Sequence, residues 1–199
     1  MGLILALINF ARVTFWRLVL ALRGGGRIGR GCKFQPGVVL ASARGRPIIL
    51  GDNVQLMRGV VLSTSQSGKI VLGDNVYIGE YGVVTSNAEI NIERDTIIAP
   101  HVDLVDFNHG TDDLETTVLH QPVDAAPIRI GRDVWLGAKV TVVRGVTIGD
   151  QAVVGTGSVV NRDVRSRGVA VGTPARIIRT RGPADKPADA DDNEGSRSS

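Results

Sequence analysis

Much of what would fix a chemistry early is missing from this sequence. Its 199 residues hold one cysteine, Cys32. That excludes an internal disulfide framework, and no CxxC pair is present to hold zinc. Four Phe, two Trp and two Tyr are the only aromatics. Basic charge is therefore not interleaved with stacking platforms, which argues against a nucleic-acid partner. No GxSxG elbow and no phosphate-binding glycine loop of the Walker type occurs. What fills the chain instead is 27 Val, 16 Ile and 25 Gly. Aliphatic filler with many glycines argues against a helical bundle and for short strands broken by tight turns. The balance of 43% hydrophobic and 22% charged residues is that of a folded globular protein.

The net charge of +3 hides an asymmetry. Residues 1–30 carry five arginines and no acid, whereas 182–199 carry five acids against Lys186 and Arg197. A basic start suggests an anionic surface. Residues 1–23 are mostly apolar and read as a helix that the glycines at 24–26 end. From Gly182 the chain is Pro, Ala, Asp and Ser with little to bury, which predicts a disordered tail over 182–199.

Between these ends an aliphatic residue recurs every six positions: Ile130, Leu136, Val142, Ile148, Val154, Val160. The same phase appears upstream in triplets that open at Ile28, Leu50, Leu72 and Ile92. The fourth residue after each aliphatic is small or branched, as at Cys32, Val134, Val140 and Ser158. A period of six fits neither a helix nor a lone strand. It fits a parallel β-helix in which three rungs make a coil of 18 residues and stacking supplies the core. Coil starts at 28, 50, 72, 92, 130 and 148 place one substantial loop at 105–127. Six coils predict a prism roughly 29 Å tall. Aspartates at rung corners, such as Asp52, Asp95 and Asp150, read as turn chemistry.

The repeats, with DFNHG at 106–110, PIRIGRDVWLGAKVTVVRGVTIG at 127–149, AVVGTGSVVNRDV at 152–164 and VAVGTPARIIRTR at 169–181, resemble the hexapeptide-repeat acyltransferases. Within these the likeness is to the sugar O-acetyltransferases of the maltose, colanic-acid and O-antigen type. The resemblance implies an all-β fold, a left-handed parallel β-helix of about six coils. It covers about 27–181, the expected acyltransferase domain, and composition sets off an N-terminal apolar helix over 1–26 and the tail over 182–199. The left hand comes from the family, since generic crossover rules favour the other.

Acyl transfer from a thioester to a hydroxyl needs a base of near-neutral pKa. His109, in the loop, is the candidate, and the resemblance places the catalytic histidine there. By spacing alone it is equally a solvated residue at the end of a coil. Asp106 either orients the ring or caps the loop. His101 reads as a surface histidine on a rung and His120 as a solvated loop residue. Trp135 follows an inward Val134 and should project outward. The resemblance offers it the acyl donor or acceptor, in a site between adjacent subunits of a homotrimer. It also assigns the coenzyme A arm to Gly137, Ala138, Thr156, Gly157 and Ser158. Arg162, Arg176, Arg179 and Arg181 cluster near the end of the chain and read equally as a grip on the coenzyme's phosphates or as a solvated basic end. Small residues at corners are what the coil itself requires, so both readings stand. Cys32, at a small inward position, reads as core.

The resulting expectation is an acetyl-CoA-dependent O-acetyltransferase acting on a saccharide in surface-polysaccharide or lipid-linked glycan synthesis, with no metal. The rivals are an N-acyltransferase on an amino sugar, a β-helix carbonic anhydrase, whose close histidine pair is lacking, and a non-catalytic scaffold. Location is expected in the cytoplasm, with residues 1–23 peripheral on the inner membrane face. As a span, about −4 to −8 kcal/mol of apolar insertion meets about +5 to +7 for two arginines. An in-plane helix, with Arg12, Arg17 and Arg23 at head groups and Trp16 at the interface, is the expectation. The alternative is a cap over the open end of the coil.

Overall fold

The computed structural model describes residues 2–23, 26–65 and 67–182; the expected disordered tail, from residue 183 on, lies outside them. Helix α1 spans Gly2–Leu22. After it the chain winds through three parallel sheets in turn. Sheet A strings together Gly26–Ile28, Ile48–Leu50, Ile70–Leu72, Ile90–Ile92, Ile128–Ile130 and Thr147–Ile148. Sheet B runs from Lys33–Phe34 through Gln55–Leu56, Tyr77–Ile78, Ile97–Ile98, Trp135–Leu136 and Val153–Val154 to Gly168–Gly172. Sheet C holds Val39–Ser42, Val61–Thr64, Val83–Ser86, Asp103–Val105, Thr141–Val143 and Val159–Val160.

The register is the one the period predicts. Ile28, Leu50, Leu72, Ile92, Ile130 and Ile148 are successive partners in sheet A. Phe34, Leu56, Ile78, Ile98, Leu136 and Val154 form the matching column in sheet B. All are buried, and the small or branched fourth residues, among them Cys32, Val134, Val140 and Ser158, are buried beside them. Corners need a left-handed residue, and Asn53, Asn75, Asp95 and Asp133 supply it at φ of 52–62°, as short polar side chains tolerate. Corner aspartates also tie coil to coil: Asp74 accepts the Asp52 N–H at 2.7 Å and Asp52 accepts the Arg30 N–H at 2.8 Å. Every insertion leaves from the corner between sheets C and A, at 43–47, 65–69, 87–89 and 106–127.

The first coil has no coil beneath it, so its backbone groups lack ladder partners. Helix α1 closes that end. The Asn9 side chain donates to Cys32 O at 3.1 Å and accepts from Phe34 N at 2.8 Å. Arg17 reaches Gly29 O at 2.6 Å, Arg12 reaches Phe34 O at 3.4 Å and Arg23 reaches Ser42 O at 2.8 Å. Val13 and Leu20 are buried on the coil, and Trp16 packs partly against the core. The expectation that these arginines reach head groups and Trp16 an interface is thereby corrected: in a coil with open carbonyls, guanidinium donors are drawn to the carbonyls. The far end is closed differently, by Ala175–Thr180 pairing antiparallel with Gly168–Gly172.

Removing the Asn9 amide leaves one N–H and one C=O of the first coil unpaired. Asn9→Ala should cost about 1–3 kcal/mol, read as a melting temperature lowered by roughly 2–4 °C per kcal/mol. An unchanged thermal transition would show that the cap is not needed.

Candidate active site

The long insertion is an antiparallel hairpin, Phe107–His109 against Val123–Ala125, with a stitched loop at its tip. Gln121 is buried there and its amide donates to Asp113 O and Thr116 O at 2.8 and 2.9 Å. His109 stands on the first strand of the hairpin, opposite Val123. Its ring is exposed, makes no hydrogen bond among the described residues and lies edge-on to Phe107 at 6.1 Å. Both ring nitrogens are thus free to exchange a proton with a bound molecule.

Asp106 is fully buried at the hairpin's base. Its carboxylate accepts from Ser86 Oγ at 2.7 Å, Asn87 N at 2.7 Å and Ala88 N at 3.0 Å. Its own carbonyl accepts the Ala126 N–H at 2.9 Å, closing the hairpin. No hydrogen bond joins it to His109. The sequence carried a signal for this arrangement: Ser42, Thr64, Ser86 and Asp106 each stand two residues after the inward aliphatic of sheet C and form one buried polar column. Asp106 ends that column and anchors the segment that carries His109.

A second cluster occupies the corner between sheets B and C. Gly137, Ala138, Thr156, Gly157 and Ser158 come together there from adjacent coils. The Gly137 N–H donates to Val154 O and the Gly157 N–H to Ala138 O, each at 2.8 Å. The N–H groups of Ala138 and Thr156 donate to nothing among the described residues. A Cβ on Gly137 would stand 2.6 Å from Thr156 N, so the close approach of coils requires glycine. Ser158 is fully buried between Gly155 O at 2.7 Å and Gly172 N at 3.0 Å, a tie rather than a nucleophile. Trp135 projects outward beside this corner, 53% exposed. Its register row in sheet B continues through Val153 and Val169 to Arg179. Arg176 is on the same last strand, opposite Val171. Arg162 is not with them, since it follows Val159–Val160 at the corner of sheets C and A. Arg181 is engaged with Asp133 at 3.3 Å.

The two clusters do not meet within one chain. The hairpin leaves sheet C at its end, after Asp103–Val105, and the Gly137–Ser158 corner lies where sheet C begins. The strands of sheet C separate them. On that sheet's outer surface Asp103 has one carboxylate oxygen buried without a partner among the described residues, and burial pushes its pKa up. His101 stacks on Tyr81 at 5.4 Å and is exposed. His120 pairs with Thr117 Oγ1 at 2.9 Å in the loop. Cys32 is buried core, and desolvation raises its thiol pKa.

A family model described as the hexapeptide repeat of succinyl-transferase matches residues 127–162. A Mycobacterium tuberculosis protein named as an acetyltransferase is 35% identical over 104 residues, 52% of this chain and 35% of that one. The Escherichia coli K12 protein WbbJ, whose name places it in lipopolysaccharide biosynthesis as an O-acetyl transferase, is 34% identical over 167 residues, 79% of this chain and 74% of WbbJ. Among solved structures, a galactoside acetyltransferase in complex with coenzyme A matches with TM-score 0.57 at 29% identity, covering 77% of this chain and 64% of that one. The chain thus spans about a third of the mycobacterial relative's length and about three quarters of WbbJ's. It belongs to the hexapeptide-repeat acyltransferase family.

Asp106→Ala strips the partner from one hydroxyl and two backbone N–H groups, and each buried donor left unpaired costs about 1–3 kcal/mol. The expected result is a lower melting temperature together with faster proteolytic cleavage within 107–125. A variant that melts and resists protease like the parent would deny Asp106 its anchoring role.

Proposed function

We propose that this protein transfers an acetyl group from acetyl-coenzyme A to a saccharide hydroxyl, with His109 as general base, in a homotrimer whose sites lie between chains. The observation that carries this reading is the exposed, unpartnered His109 ring on a hairpin held in place by the buried Asp106. His109 takes the hydroxyl proton as the oxygen bonds to the thioester carbonyl carbon, and returns it to the departing thiolate of coenzyme A. The free N–H groups of Ala138 and Thr156 suit the carbonyl oxygen, where charge develops. Trp135 flanks the pantetheine arm, and Arg176 and Arg179 face the phosphates; Arg162, at the corner of sheets C and A, lies apart from them.

Support for a shared site comes from sheet C. Base and cofactor corner lie at its opposite edges, so a neighbouring chain set against the sheet completes the site. Saccharide is favoured over other hydroxyl compounds because WbbJ's name assigns it to lipopolysaccharide biosynthesis and the coenzyme A complex is of a galactoside enzyme. A panel of hydroxyl and amine acceptors separates O- from N-acylation by product mass.

His109→Ala should lower kcat by about 10²–10⁴ while coenzyme A binding persists. Activity within a few-fold of the parent removes His109 from the chemistry. Mixed assemblies test the geometry independently. Chains carrying His109→Ala and chains carrying Thr156→Arg, each inactive alone, should regain activity when refolded together, because only a shared site pairs an intact histidine with an intact corner. No recovery in confirmed mixed trimers would place the whole site within one chain.

A further inference from the structure

Helix α1 is inverted relative to an ordinary surface helix. Its polar residues Asn9, Arg12, Arg17 and Arg23 point at the coil and are held by its backbone. Val13, Trp16 and Leu20 pack beside them, and most of the remaining large apolar residues point away. Leu5, Leu7, Phe10, Phe15, Leu18 and Leu22 are each 57–77% exposed. A contiguous apolar surface of this kind on a soluble prism marks a contact with something apolar.

Charge says what that is. Residues 1–51 contain eight Arg and Lys and no acid. Four of them, Arg27 and Lys33 on the first coil and Arg44 and Arg46 in the insertion that follows it, are exposed and form no ion pair among the described residues. A second copy laid against the same face would bring two such basic rims together. An anionic bilayer complements both features, taking the apolar side chains into its interface and the basic rim at its head groups.

We propose that the capped end of the prism docks on an anionic membrane, with α1 lying in the plane of the interface and the coil axis pointing away from it. This inference does not depend on the proposed acetyl transfer. The helix is long and apolar enough to cross a bilayer, at 19 residues with mean hydropathy 1.6. Crossing would tear Asn9, Arg12 and Arg17 from the backbone groups they hold and place them in hydrocarbon. Lying in the plane keeps every one of those bonds. A groove of about 710 Å³ continues the surface from Leu5 and Ile8 of the helix onto Met57 and Arg58 of the second coil. Its lining combines apolar side chains such as Phe34 and Met57 with the basic Arg12, Lys33 and Arg58, a combination that suits an acyl chain with an anionic head group.

The test is co-sedimentation of the full chain with phosphatidylcholine vesicles, with and without phosphatidylglycerol. Binding to anionic vesicles at least about tenfold tighter than to neutral ones, and weakening with salt, is the expected result. Phe10→Gln/Phe15→Gln/Leu18→Gln should abolish it, and Arg27→Gln/Lys33→Gln/Arg44→Gln/Arg46→Gln should erase the preference for anionic lipid. Both variants should keep the parental melting temperature and assembly size by light scattering, since none of these residues makes a cap bond. His109→Ala should bind vesicles as the parent does, so failure of the catalytic reading and failure of this one are separable. The proposal is overturned if the full chain stays in the supernatant, or if the Gln-substituted helix binds like the parent. It is equally overturned if membrane-bound protein resists alkaline carbonate extraction as a span, or if the helix substitutions only split a larger assembly into a smaller one.

Discussion

Each coil of this protein can satisfy its backbone only through the coils on either side of it. The hydrogen bonds of all three sheets run along the prism axis, and the parallel strands pair residues 16 to 38 apart in sequence. One residue of slippage in any coil would turn its inward aliphatics outward on three faces at once. Stacking in register therefore fixes the core, the corners and the places where the chain is free to depart. An insertion is tolerated only at a corner. In this chain every insertion uses the same one, between sheets C and A, and the longest carries His109. The position of the candidate base follows from the mechanics of stacking before any chemistry is considered.

The same constraint creates two ends, and they are closed by different means. At the C-terminal end the strand Ala175–Thr180 turns back antiparallel, and Arg181 fastens it to Asp133 and Gln151 O. At the N-terminal end a helix has no ladder to offer, so side chains do the work. Asn9 suits this because an amide both donates and accepts, and a single residue can serve the neighbouring Cys32 O and Phe34 N. Placing the polar residues against the coil forces the apolar ones outward, so the solution to one end becomes a surface of a different character.

The coil register was legible in the sequence because period six has one geometric solution, and the predicted partners Ile130 with Ile148 and Leu136 with Val154 stand opposite each other. The outward Trp135 and the inward Cys32 follow from the same phase. Less was legible where a residue's partner lies off the rung pattern. Asp106 reads equally as a partner for His109 three residues on or as an anchor, and only the folded corner shows Ser86, Asn87 and Ala88 gathered around it. The inverted helix was hidden for a related reason. Asn9, Arg12 and Arg17 form no stripe of their own, and the carbonyls that order them belong to residues more than ten positions away. Arg162, Arg176 and Arg179 are close in sequence, yet a rung and a reversed strand put them on different edges.

Sheet C is where these threads meet. It separates the hairpin from the Gly137–Ser158 corner, and its outer surface is largely small and branched side chains such as Val83, Val105, Thr141 and Val159. Asp103 interrupts this surface with a carboxylate oxygen that is buried and unpartnered. Burial raises its pKa, so the folded chain holds the proton to a higher pH than the unfolded chain does. Stability therefore falls as pH rises through that folded pKa, and above it the isolated chain carries the cost of an ill-solvated charge. A lone chain gains nothing from such a residue on an otherwise uncharged wall. In the trimer proposed above, the wall lies between a base and the cofactor corner that must be brought to it. There a donor from the neighbouring chain would offset the cost only when the two halves of the site are assembled.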